Sequence, residues 1–211
     1  QNIVDACRKT KVEHCILIST DKAVKPTSVM GTTKSLAEKI FMNAPERGKN
    51  RTKFTVVRFG NVFGSAGSVV ETFYNQIKNN LDLTLTDKDI SRYFMSISQA
   101  CDLVLNCFEC SPGEKIYILK MKKVKIIDIA KSMSSIVNPA KSLKYSIIGL
   151  SSGEKFEELL INDDEINRCT QDKNYYIISK SESDKKMKLK EEYMDKSGID
   201  NLVNKWVRSR L

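Results

Sequence analysis

The chain has 211 residues, a formal net charge of +9, and is 41% hydrophobic and 29% charged. That length buries a full core and suits one large domain or one and a half, and the balanced composition excludes disordered and fibrous classes. No apolar stretch is long enough to span a bilayer, and no signal peptide opens the chain.

A basic chain suits nucleic acid, an anionic membrane surface or a phosphorylated substrate. The lysines are dispersed, with crowding at 120–125 and 185–190 that no aromatics interleave, so both clusters read as solvated surface and no nucleic-acid partner is expected. The six cysteines (Cys7, Cys15, Cys101, Cys107, Cys110, Cys169) lie mostly in apolar runs, as reduced core thiols do. Cys107 and Cys110 form a lone CxxC beside no second pair, and no metal is expected. With these features the chain is expected to be cytoplasmic.

Residues 1–10 read as the end of a helix. Cys15-Ile16-Leu17-Ile18 reads as a short, fully buried strand over about 15–19, ending at a polar turn. A helix over about 28–43 follows, with Leu36, Ile40 and Phe41 spaced to face a core. The polar run 45–50 is a loop, and Phe54 to Phe59 forms the next buried strand, ending at Gly60-Asn61. Helices are expected at 69–80, 98–109, 126–137, 155–161, 184–195 and 199–209, and strands near 83–86, 92–97, 115–120 and 174–179. Alternation of this kind predicts an α/β fold with a partly parallel sheet. His14 reads as a surface or boundary histidine. Ile199, Leu202, Val203 and Trp206 make an amphipathic stripe suited to a core or a subunit contact.

One cluster stands out. Ser19-Thr20-Asp21-Lys22-Ala23-Val24-Lys25-Pro26, with Met30-Gly31-Thr32-Thr33-Lys34 behind it, gathers a hydroxyl, a carboxylate and ammonium groups at the end of a buried strand. Open α/β sheets place their ligands there. This string resembles the active-site segment of the extended short-chain dehydrogenase/reductases, specifically the nucleotide-sugar 4,6-dehydratases of polysaccharide biosynthesis. Val56 to Val69, Ser91 to Leu105 and Gly149 to Leu160 resemble later family segments in the same order. The resemblance runs over about residues 1–179.

It implies the C-terminal half of a Rossmann-type doubly wound sheet plus a smaller α/β substrate-binding part. The implied blocks are 1–80 for the cofactor domain with the active-site segment, 81–183 for the nucleotide-sugar-binding region and 184–211 for a helical tail. The implied activity is dehydration of UDP-N-acetylglucosamine: oxidation at C4, loss of water across C5 and C6, and reduction at C6, with NAD or NADP. That chemistry needs a carboxyl that holds a proton and an amine that gives one up near neutral pH, and burial favours both. By resemblance Asp21 is the acid, Lys22 the C5 base, and Thr20 the hydroxyl that meets substrate near C4. Lys34 corresponds to the lysine on the nicotinamide ribose. Arg58 and Gly60 belong to the turn approaching the nicotinamide, and Asn61 corresponds to a residue at the substrate diphosphate. Arg92 corresponds to an arginine on the UDP phosphate, and Glu154 to an acid on the uridine ribose. A complete relative would be a homo-oligomer.

The sequence departs from the pattern at named places. Met30 stands where most short-chain dehydrogenases carry the proton-accepting tyrosine. Met30 is either packing or part of a Thr-Met-Lys set in which Lys22, or a water held by Lys34, takes the C4 proton. Ser151-Ser152 replaces the family's Arg-Pro, Ala66 an arginine and Glu71 a proline; Lys155 is a candidate to compensate. No glycine-rich phosphate loop follows any strand, which the resemblance places about a hundred residues upstream, so the chain is expected to be a fragment. The alternatives are a non-catalytic remnant of the family or a UDP-sugar epimerase.

Overall fold

A computed structural model describes residues 1–44, 52–183, 187 and 189–210. In chain order the first elements are α1 (Asn2–Thr10), β1 (His14–Thr20), a 3₁₀ turn (Asp21–Ala23), α2 (Val29–Met42), β2 (Lys53–Phe59) and β3 (Asn61–Val62). Then come α3 (Val69–Lys78), β4 (Leu83–Leu85), β5 (Ser91–Met95), α4 (Ile97–Cys110), β6 (Lys115–Leu119) and β7 (Lys123–Lys125). The remainder is α5 (Ile126–Val137), β8 (Tyr145–Ile147), α6 (Asp163–Ile166), β9 (Cys169–Gln171), β10 (Tyr175–Ile178) and α7 (Lys196–Arg208). The expected loop at 45–50 lies outside the described residues.

The chain folds as two compact units: residues 1–60, 98–120 and 159–190 form the first, and 61–97, 121–158 and 191–211 the second. The units therefore do not follow the consecutive blocks 1–80, 81–183 and 184–211, because strand pairing joins stretches far apart in sequence.

In the first unit the described residues form a sheet in the order β1-β2-β6-β10-β9. β1, β2 and β6 run parallel, while β10 is antiparallel to both of its neighbours. β2 lies inside the sheet, and Val56 and Val57 are fully buried. β1 pairs on one side only among the described residues, which corrects the expectation that Cys15 to Ile18 is fully buried: Ile18 is 49% exposed.

α2 also differs from its expected orientation. Leu36 is 58% exposed, and the buried positions are Gly31, Glu38, Phe41 and Met42. Ser28 caps the helix by accepting from the Gly31 N–H at 3.1 Å. His14 stacks on Phe108; its Nδ1 meets the Phe108 carbonyl at 3.2 Å and its Nε2 the Thr55 hydroxyl at 2.9 Å. A carbonyl only accepts, so Nδ1 carries the proton and Nε2 accepts from Thr55.

The second unit holds the sheets β3-β5-β7 and β4-β8 with α3, α5 and α7. Its core includes Phe73, Ile129, Ala130, Met133 and Val203, all fully buried. The helix expected at 155–161 does not form. The carbonyls of Lys155 and Phe156 accept from the Arg92 side chain at 2.7 and 3.0 Å, and Glu157 bridges to Ser91, so helical i+4 donors have no claim on them. Of the helix expected at 184–195, residues 184–186 and 188 lie outside the described residues, and 189–195 is not helical. Lys123, read as surface, is buried. Its ammonium donates to Glu191 at 2.8 Å and pairs with Glu157 at 3.5 Å, beside the Tyr93 ring.

Thiol reactivity should follow this burial. Burial pushes Cys15 up to about 11, Cys107 up to about 12 and Cys169 up to about 11. Near pH 8 their thiolate fractions fall at least about a hundredfold below that of an ordinary thiol. Cys101 and Cys110 are exposed. Brief alkylation of the folded protein followed by peptide mass mapping should label those two first; early labelling of Cys107 would contradict the packing.

Candidate active site

β1 ends where its hydrogen-bonding partner β2 also ends, with Thr20 opposite Phe59, and the chain turns at once into the 3₁₀ turn. Thr20 caps that turn: its Oγ1 accepts from the Lys22 N–H at 3.4 Å. The same hydroxyl donates to Asp21 Oδ1 at 3.0 Å, and the Lys22 ammonium donates to that oxygen at 2.9 Å. Asp21 is fully buried, and its Oδ2 makes no hydrogen bond among the described residues. A buried carboxylate oxygen left unsatisfied is costly, so Oδ2 is the open valence of the cluster. The Lys22 side chain is partly exposed.

α2 lies against this turn. A Cβ on Gly31 would stand 2.4 Å from the Lys22 carbonyl oxygen, so only glycine permits the approach. Met30 and Lys34 are four residues apart and share a helical face. Lys34 Nζ donates to the Ile18 carbonyl at 3.1 Å, which directs it to the end of β1. Met30 is about half exposed. Thr20, Asp21, Lys22 and Lys34 are thus brought together within the first unit.

The Arg58 side chain is held by carboxylates and a carbonyl of the same unit. Its Nε and Nη2 bind Glu38 at 3.0 and 2.6 Å, its Nη1 and Nη2 bind Glu165 at 2.9 Å each, and Nη1 also donates to the Leu160 carbonyl at 2.9 Å. All five N–H groups of the fork are engaged, so any cofactor contact at this residue falls to its backbone. Burial alone would weaken the charged guanidinium, yet Glu165 and Glu38 raise its pKa overall. Burial would also raise Glu165, but Arg58 holds that carboxyl below its ordinary value. Gly60 is buried directly after β2.

Asn61, Arg92 and Glu154 belong to the second unit. Asn61 opens β3 opposite Phe94. Arg92 and Glu154 meet as an ion pair at 3.2 Å, with Arg92 also held by the carbonyls of Ser91, Lys155 and Phe156. Lys155, the candidate to compensate for lost arginines, donates to Glu158 at 3.1 Å. Glu71, in the place of a family proline, accepts from the Gly67 N–H at 2.7 Å and from Arg210 at 3.3 Å.

Sequence alone does not single out Glu38 or Glu165. Glu38 had a visible signal, standing one turn after Lys34; Glu165 had none, since its partner is 107 positions away.

The profile of a polysaccharide biosynthesis protein family matches residues 1–180. The UDP-N-acetylglucosamine 4,6-dehydratase (inverting) of Campylobacter jejuni is 38% identical over 183 residues, covering 86% of this chain and 53% of that protein. A UDP-glucose 4-epimerase of Rickettsia bellii is 36% identical over 205 residues, covering 92% of this chain and 60% of that one. The chain thus spans little more than half the length of these two relatives. Among solved structures, Pen from Bacillus thuringiensis superposes with a TM-score of 0.89 at 34% identity, covering 97% of this chain and 66% of that one. Structures that share the Rossmann-type fold at 10–18% identity include several with NAD bound. No helix among the described residues is long and apolar enough to cross a membrane.

Proposed function

The chain belongs to the polysaccharide biosynthesis protein family of extended short-chain dehydrogenase/reductases, and from that premise we propose that the full-length protein is a UDP-N-acetylglucosamine 4,6-dehydratase. One observation carries the reading: a hydroxyl and an ammonium converge on one oxygen of Asp21 while the other oxygen has no partner among the described residues. An epimerase has no need of a paired carboxyl and amine for eliminating water; a dehydratase does.

The 2.9 Å contact holds the carboxyl and the amine within proton-transfer distance of each other. With the proton on Asp21, Lys22 is a free amine. Lys22 then removes the C5 proton while Asp21, through Oδ2, protonates the C6 hydroxyl as it leaves as water. The pair ends as ammonium and carboxylate; as C6 is reduced Lys22 returns its proton to C5, and the proton released from the C4 hydroxyl on oxidation restores Asp21. Thr20 positions the sugar near C4 and fixes the orientation of the carboxyl.

The donor set fits a nicotinamide cofactor. Lys34 spends one of its three N–H groups on Ile18 among the described residues, leaving others for ribose hydroxyls. That cofactor, when bound, supplies the redox chemistry at C4 and C6. NAD is favoured over NADP by the NAD-bound structures of the same fold. Asn61, Arg92 and Glu154 are proposed to hold the UDP moiety.

The test is incubation of the full-length protein with UDP-N-acetylglucosamine, read by mass spectrometry. Loss of one water is the expected result, with Asp21→Asn and Lys22→Ala each lowering turnover by about 10²–10⁴-fold. The relative named as an epimerase favours a second reading. An isomeric product of unchanged mass would establish it and set aside the dehydratase.

A further inference from the structure

We propose that the buried Glu38–Arg58–Glu165 cluster is a positioning device for the active site, fixing where α2 carries Lys34 relative to the turn bearing Asp21 and Lys22. The kinetic part of this inference rests on the dehydratase reading above; the geometric part does not.

Two carboxylates and one guanidinium are withdrawn from water, with Arg58 1% exposed. A buried ionic cluster is a weak source of stability, since apolar residues of similar volume often serve as well or better. What it supplies instead is direction. A guanidinium fork engaged on both edges tolerates neither sliding nor rotation of its partners.

The partners are the elements that build the site. Glu38 stands one turn after Lys34 on α2. Arg58 faces Ser19 across the β1–β2 ladder, one residue before Thr20. Glu165 lies on α6, where its carboxylate also accepts from the Asn162 N–H at 2.8 Å as part of a capping box. A second tie reaches the same helix: Lys25, in the left-handed region at φ 43°, donates to Asp163 at 2.5 Å. The turn that follows Lys22 and the helix that holds Lys34 are therefore both anchored to α6. If Glu38 lets go, α2 keeps its apolar contacts through Phe41 and Met42, but its register against β1 is no longer set by a bidentate pair.

The experiment uses the full-length protein and three forms: wild type, Glu38→Gln, and the apolar triple substitution Glu38→Met, Arg58→Met, Glu165→Met. Amide hydrogen exchange is followed across α2, with the urea midpoint as a control for global stability. Glu38→Gln should speed exchange around residues 31–37 by about tenfold or more beyond what the accompanying fall in the urea midpoint accounts for. In turnover, both variants should lose on the order of 10–100-fold in kcat, as displacement of a catalytic group costs, with the KM for the sugar nucleotide within about twofold of wild type. The triple form separates the roles: a merely structural cluster would let it keep its activity along with its stability.

Unchanged α2 exchange in Glu38→Gln overturns the proposal whatever the kinetics, as does unchanged kcat in the folded triple form. Wild-type protein that releases no water from UDP-N-acetylglucosamine defeats the dehydratase reading alone, and the exchange result then decides this one.

Discussion

Gly31→Ala is expected to destabilise the protein, against the usual direction of such a change. Within an ordinary helix, alanine gains about 1 kcal/mol over glycine. At this position the added Cβ would sit 2.4 Å from the Lys22 carbonyl oxygen, 3.3 Å from its carbon and 3.1 Å from Pro26 Cβ. None of these is the yielding end of a long side chain: two are backbone atoms, and the third belongs to a ring that fixes its own φ. Overpacking of this kind costs about 1–3 kcal/mol or more and outweighs the propensity gain. Relief requires α2 to lift or the 3₁₀ turn to shift, and the atom displaced is the backbone of Lys22. Turnover should therefore fall about 100-fold, more than the stability loss alone accounts for. Urea unfolding and turnover on the same preparation check both parts. A more stable, fully active Gly31→Ala variant would mean that α2 does not approach the turn so closely.

Trp206→Ala should cost more in stability, about 3–5 kcal/mol. Trp206 is 9% exposed and belongs to the apolar core of the second unit. Its indole N–H donates to the Gly64 carbonyl at 3.2 Å, its ring meets Tyr74 edge-on at 5.4 Å, and Arg210 lies 5.0 Å over its face. Gly64, at φ 73°, has no room for a side chain, since a Cβ would come within 1.8 Å of the indole nitrogen. A loss of that size is a large share of a typical domain's stability. Circular dichroism during urea unfolding is the suitable measurement, because the chain's single tryptophan is removed. Trp206→Phe keeps most of the apolar contact and leaves the Gly64 carbonyl unpartnered, so its cost should be smaller, about 1–3 kcal/mol. A negligible effect of Trp206→Ala would make α7 an appendage, as the expected block 184–211 implied.

The sequence by itself determined the kind of element along most of the chain. β2, α3, α5 and α7 form close to where their periodicity put them, because each buries one apolar face and the repeat of that face is a local property. It also determined the chemical identity of the candidate site, since Thr20, Asp21 and Lys22 are consecutive and a single turn brings their polar groups together. Tertiary structure decided the rest. Apolar spacing pointed to Leu36 as a core residue of α2, yet the helix turns Glu38 inward, because Gly31 permits close approach and Arg58 on β2 supplies a partner for a carboxylate. That partnership spans 20 positions and the one with Glu165 spans 107, so no local pattern encodes it. The stretch 155–161 has helical composition but gives its carbonyls to Arg92, and Lys123 reads as surface until Glu191 covers its charge. Periodicity reports which side chains avoid water; only the assembled chain fixes which buried charges find their counter-charges, and where a charged group goes is set by that pairing.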